Sequence, residues 1–376
     1  MKIEFGLRTG IALPLLATLI AGMSILVVFN YIMQVNLLKD EENRNIEASI
    51  NTAQLLLETA TIHYQQMANL VAQMSDVQEA VNKKDRNRLI DKFLPAFNSL
   101  KENFGLAQFH FHIPPAVSLV RLHDLSHFGD DISKERKTVV QVQTIHKGTR
   151  GIEIGLGGVG LRGVEPIFYK GEFVGSVDFG GGLKTEIDQI KKAINADTGV
   201  AIYKDLLTGW PGLKDVKHTF GQWVCLYFTQ PDPKLFISEA SLKRAAQSKG
   251  RYYTEVVSYA GKEYIVAYSP LKDFSGKIIG FIYLVKERIL SPVKVFTILG
   301  INVLVYIVML IVIALLIGYG MNKYVINPIV ALTKVTDEIS MGKTSQKVEI
   351  KDARGEIATL ARAVERMRIT MKKLLE

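Results

Sequence analysis

The sequence predicts an α+β protein in which two mixed units of helices and strands follow one another between two membrane-spanning helices. Two stretches without a charged residue, Thr9 to Leu38 and Val295 to Asn322, predict the spans, because about 20 apolar residues cross a bilayer as a helix. Between them, runs that alternate apolar and polar residues predict strands, and a run with heptad spacing predicts one long helix.

The first uncharged stretch has a competing interpretation as a cleaved secretory signal. The apolar region of a signal is usually about 7 to 15 residues long and ends at a small-residue cleavage site. Residues 11–33 form a longer run, and no A-x-A motif follows it. We therefore expect an uncleaved membrane anchor.

Charges beside the spans predict the topology, because Lys and Arg are retained on the cytoplasmic side. The N-terminal stub carries Lys2 and Arg8 against Glu4, and from Asn322 onward eleven Lys and Arg outweigh seven acids. Two spans place both ends on the same side. The segment from about 39 to 294 is therefore predicted to lie outside the cytoplasm, where no NAD or ATP pool exists.

The long helix is predicted directly after the first span. Its apolar residues recur at steps of three and four over four heptads: Ile46, Ile50, Ala53, Leu57, Ala60, Tyr64, Met67, Val71 and Met74. A face this narrow is typical of a helix that packs on its own domain, on the same helix of a second chain, or on both. A second helix is expected from Lys84 to Leu100, interrupted near Pro95.

Strands are predicted next. Residues 106–113 alternate between an apolar face and a polar face, a loop follows Pro114-Pro115, and a helix is expected near Ser133. A hairpin is predicted around Lys170-Gly171. After a connecting helix, four strand-like runs predict a smaller second unit, and one of them holds the single cysteine, Cys225, as a buried and inert thiol.

The sequence GLGGVG, residues 155–160, matches the G-x-G-x-x-G spacing of dinucleotide-binding loops. That function requires a strand before the motif and a helix immediately after it. Here the predicted hairpin follows, and Asp178, near the position of a ribose-binding acid, falls in its second arm. We therefore interpret the glycines as a sharp turn between strands.

Candidate ligand-binding residues concentrate between the first strand and the glycine turn. Arginine presents a planar fork suited to a carboxylate, so this group predicts a pocket for an anion: His110, His112, Arg121, His123, Asp130, Arg136 and Arg162. Arg162, just after the glycine turn, faces either this pocket or solvent. Alternatively, Arg121 and Arg136 pair with Asp130 and Asp131 and only hold the loop. The histidines, with His127, offer enough ligands for zinc, but no fixed spacing supports it, so no metal and no cofactor are expected.

The C-terminal tail predicts two short amphipathic helices joined by a linker that Gly342 begins. One carries Ile329, Leu332, Val335 and Ile339, and the other steps from Ile357 to Leu374. Two such helices form little core alone, so a parallel four-helix bundle in a homodimer is expected. Pro328, Gly342, Val348, Ile350 and the run DARGEIATLARAVERM resemble a HAMP domain, the relay module of bacterial receptors. Its usual Asp-Glu-x-Gly motif reads Asp-Ala-Arg-Gly at residues 352–355.

The outer segment resembles the double Cache domains of extracellular sensors, through "FHFHIPPAVSLVRLHDLSHFGDDISKERKTVV" and "GIEIGLGGVGLRGVEPIFYKGEFVGSVDFG". The two resemblances imply two PAS-like Cache units on a long N-terminal helix. The predicted boundaries are a cytoplasmic stub (1–9), a first span (10–33), a sensor (34–294, with a distal unit at about 84–182 and a proximal unit at about 197–290), a second span (295–321) and a HAMP module (322–376).

The resemblance implies a signal-transduction receptor of the bacterial inner (plasma) membrane, similar to chemotaxis receptors. It implies a small extracellular solute, with a carboxylate or amino acid favoured, and no nucleic acid. No catalytic residues are predicted, so the output is expected from a cytoplasmic signalling partner or from a portion beyond Glu376. The alternatives are the sensor part of a histidine kinase or cyclase system, an adaptor without a small-molecule ligand, and a metal hydrolase using His110, His112 and nearby acids.

Overall fold

The computed structural model describes residues 7–375, which divide into two compact units: residues 40–291, and residues 7–39 together with 292–375. Most of the predicted cytoplasmic stub, residues 1–6, and the final Glu376 lie outside the described residues. Mixed helix and sheet fill the first unit, as the alternating patterns predicted.

Helix α1 extends from Leu7 to Ala72 and carries the predicted heptad face. Of this face, Ile46, Ile50, Ala53 and Leu57 are buried in one apolar core, and Val71 is buried in another, against which Met67 packs. The prediction that this narrow face packs on its own domain is confirmed. The predicted seam ends two residues late, because Met74 lies beyond the helix and precedes α2.

The first sheet and its helices follow α1. This part of the chain contains, in order, α2 (Ser75–Asn82), α3 (Arg86–Phe104), β1 (Leu106–Ile113), β2 (Val117–Arg121), α4 (Lys137–Ile145), β3 (Thr149–Gly155), β4 (Gly158–Tyr169) and β5 (Glu172–Gly182). The strand order is β2-β1-β5-β4-β3, and every neighbouring pair is antiparallel. The predicted hairpin joins β4 to β5, where Lys170 and Gly171 have φ values of 50° and 87°.

Two sequence-based expectations for helices in this region are wrong. Helix α3 continues through Pro95, because Phe93 and Phe97 are buried on either side and hold the helix across the missing N–H. Helix α4 begins at Lys137 instead of near Ser133, since the Asp131 carboxylate accepts a hydrogen bond from the Ser133 backbone N–H (2.8 Å) and stabilises a turn there.

The second sheet follows α5 (Leu183–Ile194). It contains β6 (Asp197–Tyr203), β7 (Thr219–Phe220), β8 (Trp223–Phe228), β9 (Tyr253–Tyr259), β10 (Lys262–Lys272) and β11 (Ile278–Glu287), with α6 (Glu239–Gln247) between β8 and β9. The antiparallel order is β7-β8-β6-β11-β10-β9. One face packs on α1 and α5 through residues such as Val200, and the other buries Trp223, Tyr268 and Tyr283.

The other compact unit contains the N-terminal part of α1 and three further helices. Helix α7 (Pro292–Met321) passes through a single π-helical turn, Asn322–Ile326, into α8 (Asn327–Ser340), and α9 spans Gly355–Leu375. The N-terminal part of α1 and α7 are long and apolar enough to cross a membrane, with mean hydropathies of 2.2 and 2.9 in their most apolar windows. Gly342 has a φ of 86° just after α8, as its predicted role in ending that helix requires.

A small apolar core joins α8, the linker and α9. Leu332, Ile339, Val348 and Val364 are buried in it, and Ile350 packs against them. The two linker positions predicted to be hydrophobic, Val348 and Ile350, are therefore part of this core. This arrangement leaves other large apolar side chains of α8 and α9 exposed, among them Val330, Leu360 and Leu374.

Candidate functional site

The glycine motif forms the turn of a β-hairpin. Strand β3 ends at Gly155, Leu156 and Gly157 form the turn, and β4 begins at Gly158, whose φ of 87° favours glycine. A strand therefore follows the motif where a dinucleotide-binding loop requires a helix. The interpretation of these glycines as a turn is confirmed.

This turn lines a cavity of 330 Å³, which we call the arginine cavity. Its walls come from β1, the end of β2, the loop before α4, the β3–β4 turn and β4, and they include Gln108, Arg121, His123, Asp124, His127, Asp130, Glu135, Arg136, Gly157 and Arg162. Five of the seven predicted site residues therefore meet in one cavity. His110 and His112 do not line it.

Arg121 is already engaged by a carboxylate of the same loop. Its two terminal nitrogens donate to the two carboxylate oxygens of Asp130, each at 2.7 Å, and one of them also donates to the His127 carbonyl (2.9 Å). The Asp130 pKa is lowered chiefly by the hydrogen bond from Arg121. Arg121 therefore holds the loop, as the alternative interpretation predicted.

Arg136 and Arg162 are held differently. Both donate to one neutral acceptor, the Oε1 atom of Gln108. Arg136 pairs with Glu153 (Nη1 to Oε2, 3.4 Å), so the alternative pairing of Arg136 with Asp130 or Asp131 is wrong. Arg162 is buried, and burial followed by repulsion from Arg136 lowers its pKa to about 10, so its guanidinium remains charged at neutral pH.

Glycines provide the space for the buried Arg162 side chain. A Cβ on Gly180 of β5 would lie 2.5 Å from Nη1 of Arg162, and one on Gly160 would lie 3.2 Å from Nη2. Each distance is shorter than ordinary van der Waals contact. The glycine-rich composition of β4 and β5 therefore allows an arginine to lie flat across the sheet.

Two buried carboxylates beside the cavity were not predicted as site residues. Glu153 accepts a hydrogen bond from the Thr138 backbone N–H (2.8 Å), and Asp178 lies fully buried on β5. Asp178 Oδ2 is 3.6 Å from Arg136 Nη2 and 3.8 Å from Arg162 Nη1. Alternation along "SVDFG" places Asp178 on the face of β5 opposite to that of the core residues Val177 and Phe179. This pattern was the sequence signal that could have identified Asp178 as a site residue.

The histidines occupy two environments. His110 and His112 are almost fully buried on β1, so the predicted polar face of this strand is inside the fold. Burial lowers the pKa of both well below 6.5, so both rings are neutral at pH 7. Burial, then Arg136 and Arg162, lower the pKa of His123 to about 4. His127 is largely exposed and pairs with Asp124 (2.6 Å).

The two sheets pack on one long helix, and the apolar helical segments that precede and follow them in the chain are consistent with membrane spans. Residues 39–288 match the model of the double sensory domain of two-component sensor kinases (dCache_3). The chain belongs to this family. Residues 320–373 match the HAMP domain. Both modules are non-catalytic and serve signal transduction.

Solved structures with a similar chain include sensor domains of both receptors and kinases. The ligand-binding domain of the Pseudomonas fluorescens chemoreceptor CtaA, in complex with L-serine, is 16% identical over 66% of this chain and 98% of its own, with a TM-score of 0.40. The sensor domain of the Vibrio cholerae histidine kinase DctB is 14% identical over 69% and 99%, with a TM-score of 0.36.

The ligand-binding domain of the Pseudomonas aeruginosa chemoreceptor PctC, in complex with GABA, is 18% identical over 65% of this chain and 99% of its own, with a TM-score of 0.37. Comparison with curated protein sequences gives no match.

Proposed function

We propose that this chain is a homodimeric two-pass receptor of the bacterial plasma membrane whose arginine cavity binds a small carboxylate, an amino acid included. The pair Arg136 and Arg162 is the observation that carries this proposal. Both guanidinium groups reach one cavity and share the neutral amide oxygen of Gln108. A solute carboxylate is a stronger acceptor than an amide, because charge-assisted hydrogen bonds are about twice as strong as neutral ones.

The charges of the cavity favour a zwitterion over a highly charged anion. Three arginines line it, and so do the three carboxylates Asp124, Asp130 and Glu135. The formal charge of the lining residues is therefore zero, and an ammonium group meets carboxylates on the same walls. An amino acid, which carries both groups, satisfies this pattern.

The topology follows from the two apolar helices and the charges beside them. Lys and Arg exceed acids in the residues after α7, which favours a cytoplasmic α8 and α9. Residues 40–291 then lie outside the cytoplasm, with the arginine cavity accessible to external solutes. A second copy of the chain covers the exposed Val330, Leu360 and Leu374 in a parallel bundle.

The receptor shifts between two conformational states when solute binds. The change passes through α7 to α8 and α9 and from there to a cytoplasmic signalling partner, as in chemotaxis receptors. A kinase or cyclase output uses the same relay.

A binding screen on the full chain in lipid nanodiscs tests this function. Amino acids, dicarboxylates, amines and purines are titrated by calorimetry, and we expect a hit among the carboxylates. Arg136→Gln keeps a polar, hydrogen-bonding side chain but removes the charged guanidinium fork, and it is expected to lower affinity at least about tenfold. Arg251→Gln is the matched control, since Arg251 is exposed and lies outside the cavity lining.

Two outcomes would contradict the proposal. If no small molecule binds, direct sensing fails and the adaptor alternative is favoured. If a carboxylate binds but Arg136→Gln and Arg162→Lys leave its affinity unchanged, the ligand site is elsewhere.

A further inference from the structure

Three buried side chains next to the arginine cavity converge on one point. His110 and His112 lie on β1 and Asp178 lies opposite His110 on β5. Each offers one nitrogen or oxygen atom, and these three atoms lie within 4.8 Å of one another. All three residues are at least 99% buried. Ligands of a tetrahedral zinc at about 2.1 Å are about 3.4 Å apart, so small side-chain shifts bring these atoms to coordination distance.

Each of these side chains has an atom left without a hydrogen-bond partner among the described residues. The atoms are Nδ1 of His110, Nε2 of His112, and both carboxylate oxygens of Asp178. A buried polar atom without a partner is costly, and a buried carboxylate without one is more so. Such atoms in one cluster indicate a bound group that supplies their missing interactions.

The other nitrogen of each histidine is held by a serine hydroxyl. His110 Nε2 lies 2.8 Å from Ser118 Oγ, and His112 Nδ1 lies 3.1 Å from Ser176 Oγ. Metal-binding histidines almost always donate their second ring N–H to a carboxylate, a backbone carbonyl or water, which fixes the tautomer and the ring orientation. Here a serine hydroxyl takes that place. The serine contacts therefore leave His110 Nδ1 and His112 Nε2 as the ring nitrogens available to a metal ion.

The neighbouring arginines leave one oxygen of Asp178 available. Arg136 and Arg162 both approach Oδ2, at 3.6 and 3.8 Å, and these distances are too long for hydrogen bonds. Oδ1 accepts no hydrogen bond within the described part of the chain. Glu153 is 3.4 Å from Arg136 and 4.0 Å from Arg162, and it offsets part of their positive charge.

We propose that His110, His112 and Asp178 bind one divalent transition-metal ion, with Zn²⁺ as the representative, inside the first sheet. Two imidazoles and one carboxylate are a donor set that zinc, iron, nickel and copper accept, and hard cations such as Mg²⁺ prefer oxygen ligands alone. Three protein ligands leave at least one position for water. The site goes beyond the proposed function, because it exists whether or not a carboxylate solute occupies the arginine cavity.

The test is metal binding by the full chain, without an affinity tag, in nanodiscs. After chelation and dialysis, Zn²⁺ is titrated by calorimetry, and Co²⁺ is titrated by visible absorption, which reports the ligand geometry. We expect one equivalent per chain and a rise in the melting temperature when metal is added. Asp178→Asn keeps the shape of the side chain and is expected to weaken Zn²⁺ binding at least about 100-fold.

Ser118→Ala distinguishes a specific metal site from nonspecific binding of Zn²⁺. It removes only the hydroxyl beside His110 and is expected to weaken Zn²⁺ binding about tenfold, the lower end of the usual effect of such a partner. His63→Ala, an exposed histidine outside the cluster, is the control and should bind as the parent chain does.

Fewer than about 0.1 equivalents of Zn²⁺ and Co²⁺ after reconstitution would overturn the proposal and indicate ordered water at these atoms. Equal affinity in the parent chain and in a folded Asp178→Asn variant, checked by circular dichroism, would also overturn it. Since solute binding is measured separately, a failure here leaves the carboxylate proposal intact.

Discussion

Glu42 and Arg288 form a largely buried ion pair between α1 and the segment that follows β11, with Glu42 Oε2 3.2 Å from Arg288 Nε. The other oxygen of Glu42 accepts hydrogen bonds from the backbone N–H groups of Ile289 (2.9 Å) and Leu290 (3.3 Å). Arg288 also donates to Glu263 (3.0 Å). One carboxylate therefore fixes the backbone immediately before α7 begins at Pro292.

Glu42→Ala is expected to release this segment. Removing one partner of a buried ion pair typically costs about 3 kcal/mol, and here two backbone donors lose their acceptor as well. Hydrogen exchange at Ile289 and Leu290 should become much faster. The control is Glu41→Ala, because Glu41 is exposed. Unchanged protection of both amides in Glu42→Ala would show that the carboxylate does not hold this segment.

Gly163→Ala is expected to separate α1 from the first sheet. A Cβ at this position of β4 would overlap the backbone of Tyr64 and Gln65 in α1. Overpacking costs about 1 to 3 kcal/mol and more where backbone must move, so a marked fall in melting temperature is expected. Tryptophan fluorescence can follow it, since Trp210 and Trp223 are the only tryptophans. Gly182→Ala is the control, because no atom lies within 4 Å of its added Cβ, and an equal loss there would contradict the explanation.

Cys225 is expected to resist alkylation in the folded protein. Burial raises the pKa of its thiol to about 12, and its sulfur contacts the Tyr283 hydroxyl at 3.2 Å. Because the thiolate is the reactive species, a thiol reagent at pH 8 should label the chain only after denaturation. Ser126→Cys, on an exposed loop, should add one rapidly labelled thiol. Fast labelling of the folded parent chain would show that Cys225 is accessible.

Glu365 is expected to hold the linker between α8 and α9. It accepts hydrogen bonds from Arg368 and from the Val348 backbone N–H (2.9 Å). These lower its pKa from 4.5 to about 2, with Arg368 the larger cause. Since the folded pKa is below the unfolded one, the stabilisation is complete above pH 4.5 and is lost as the pH falls toward 2.

Carbon-13 NMR of the Glu365 carboxyl in the micelle-bound chain should show this low titration, and Arg368→Gln should move it back toward 4.5. Glu365→Gln should speed hydrogen exchange at Val348, whereas Glu356→Gln, at an exposed position of α9, should not. If Glu365 titrates near pH 4.5 in the parent chain, its carboxylate does not hold Arg368 and the Val348 backbone N–H.

Local patterns were enough for much of the fold. The heptad spacing identified the buried face of α1, and Lys170-Gly171 identified a hairpin whose two turn residues need positive φ. Alternation identified β1 but not the burial of its polar face. Alternation with a period of two shows which side chains share one face of a strand, but it does not show what covers that face.

The site was predicted only in outline. Arg121, His123, Asp130 and Arg136 do meet, as their nearness in sequence suggested, and Arg162 joins them from β4 instead of facing solvent. Their partners depend on strand register: Asp178 reaches its neighbours because β5 pairs with β1 at His110. No spacing along the chain contains that pairing. The loop-holding alternative offered Arg136 only Asp130 or Asp131 as a partner, and the structure has Glu153 instead.

The sequence by itself determined the organisation of this protein: two apolar helices, two α+β units in series and a pair of short amphipathic helices. Periodicity and turn chemistry are local, and hydrophobic burial acts on them directly. Tertiary structure alone decided which charges pair, which glycines give Arg162 its space, and that His110, His112 and Asp178 converge. Those contacts join residues far apart in the chain, and only antiparallel register and close packing bring them within reach.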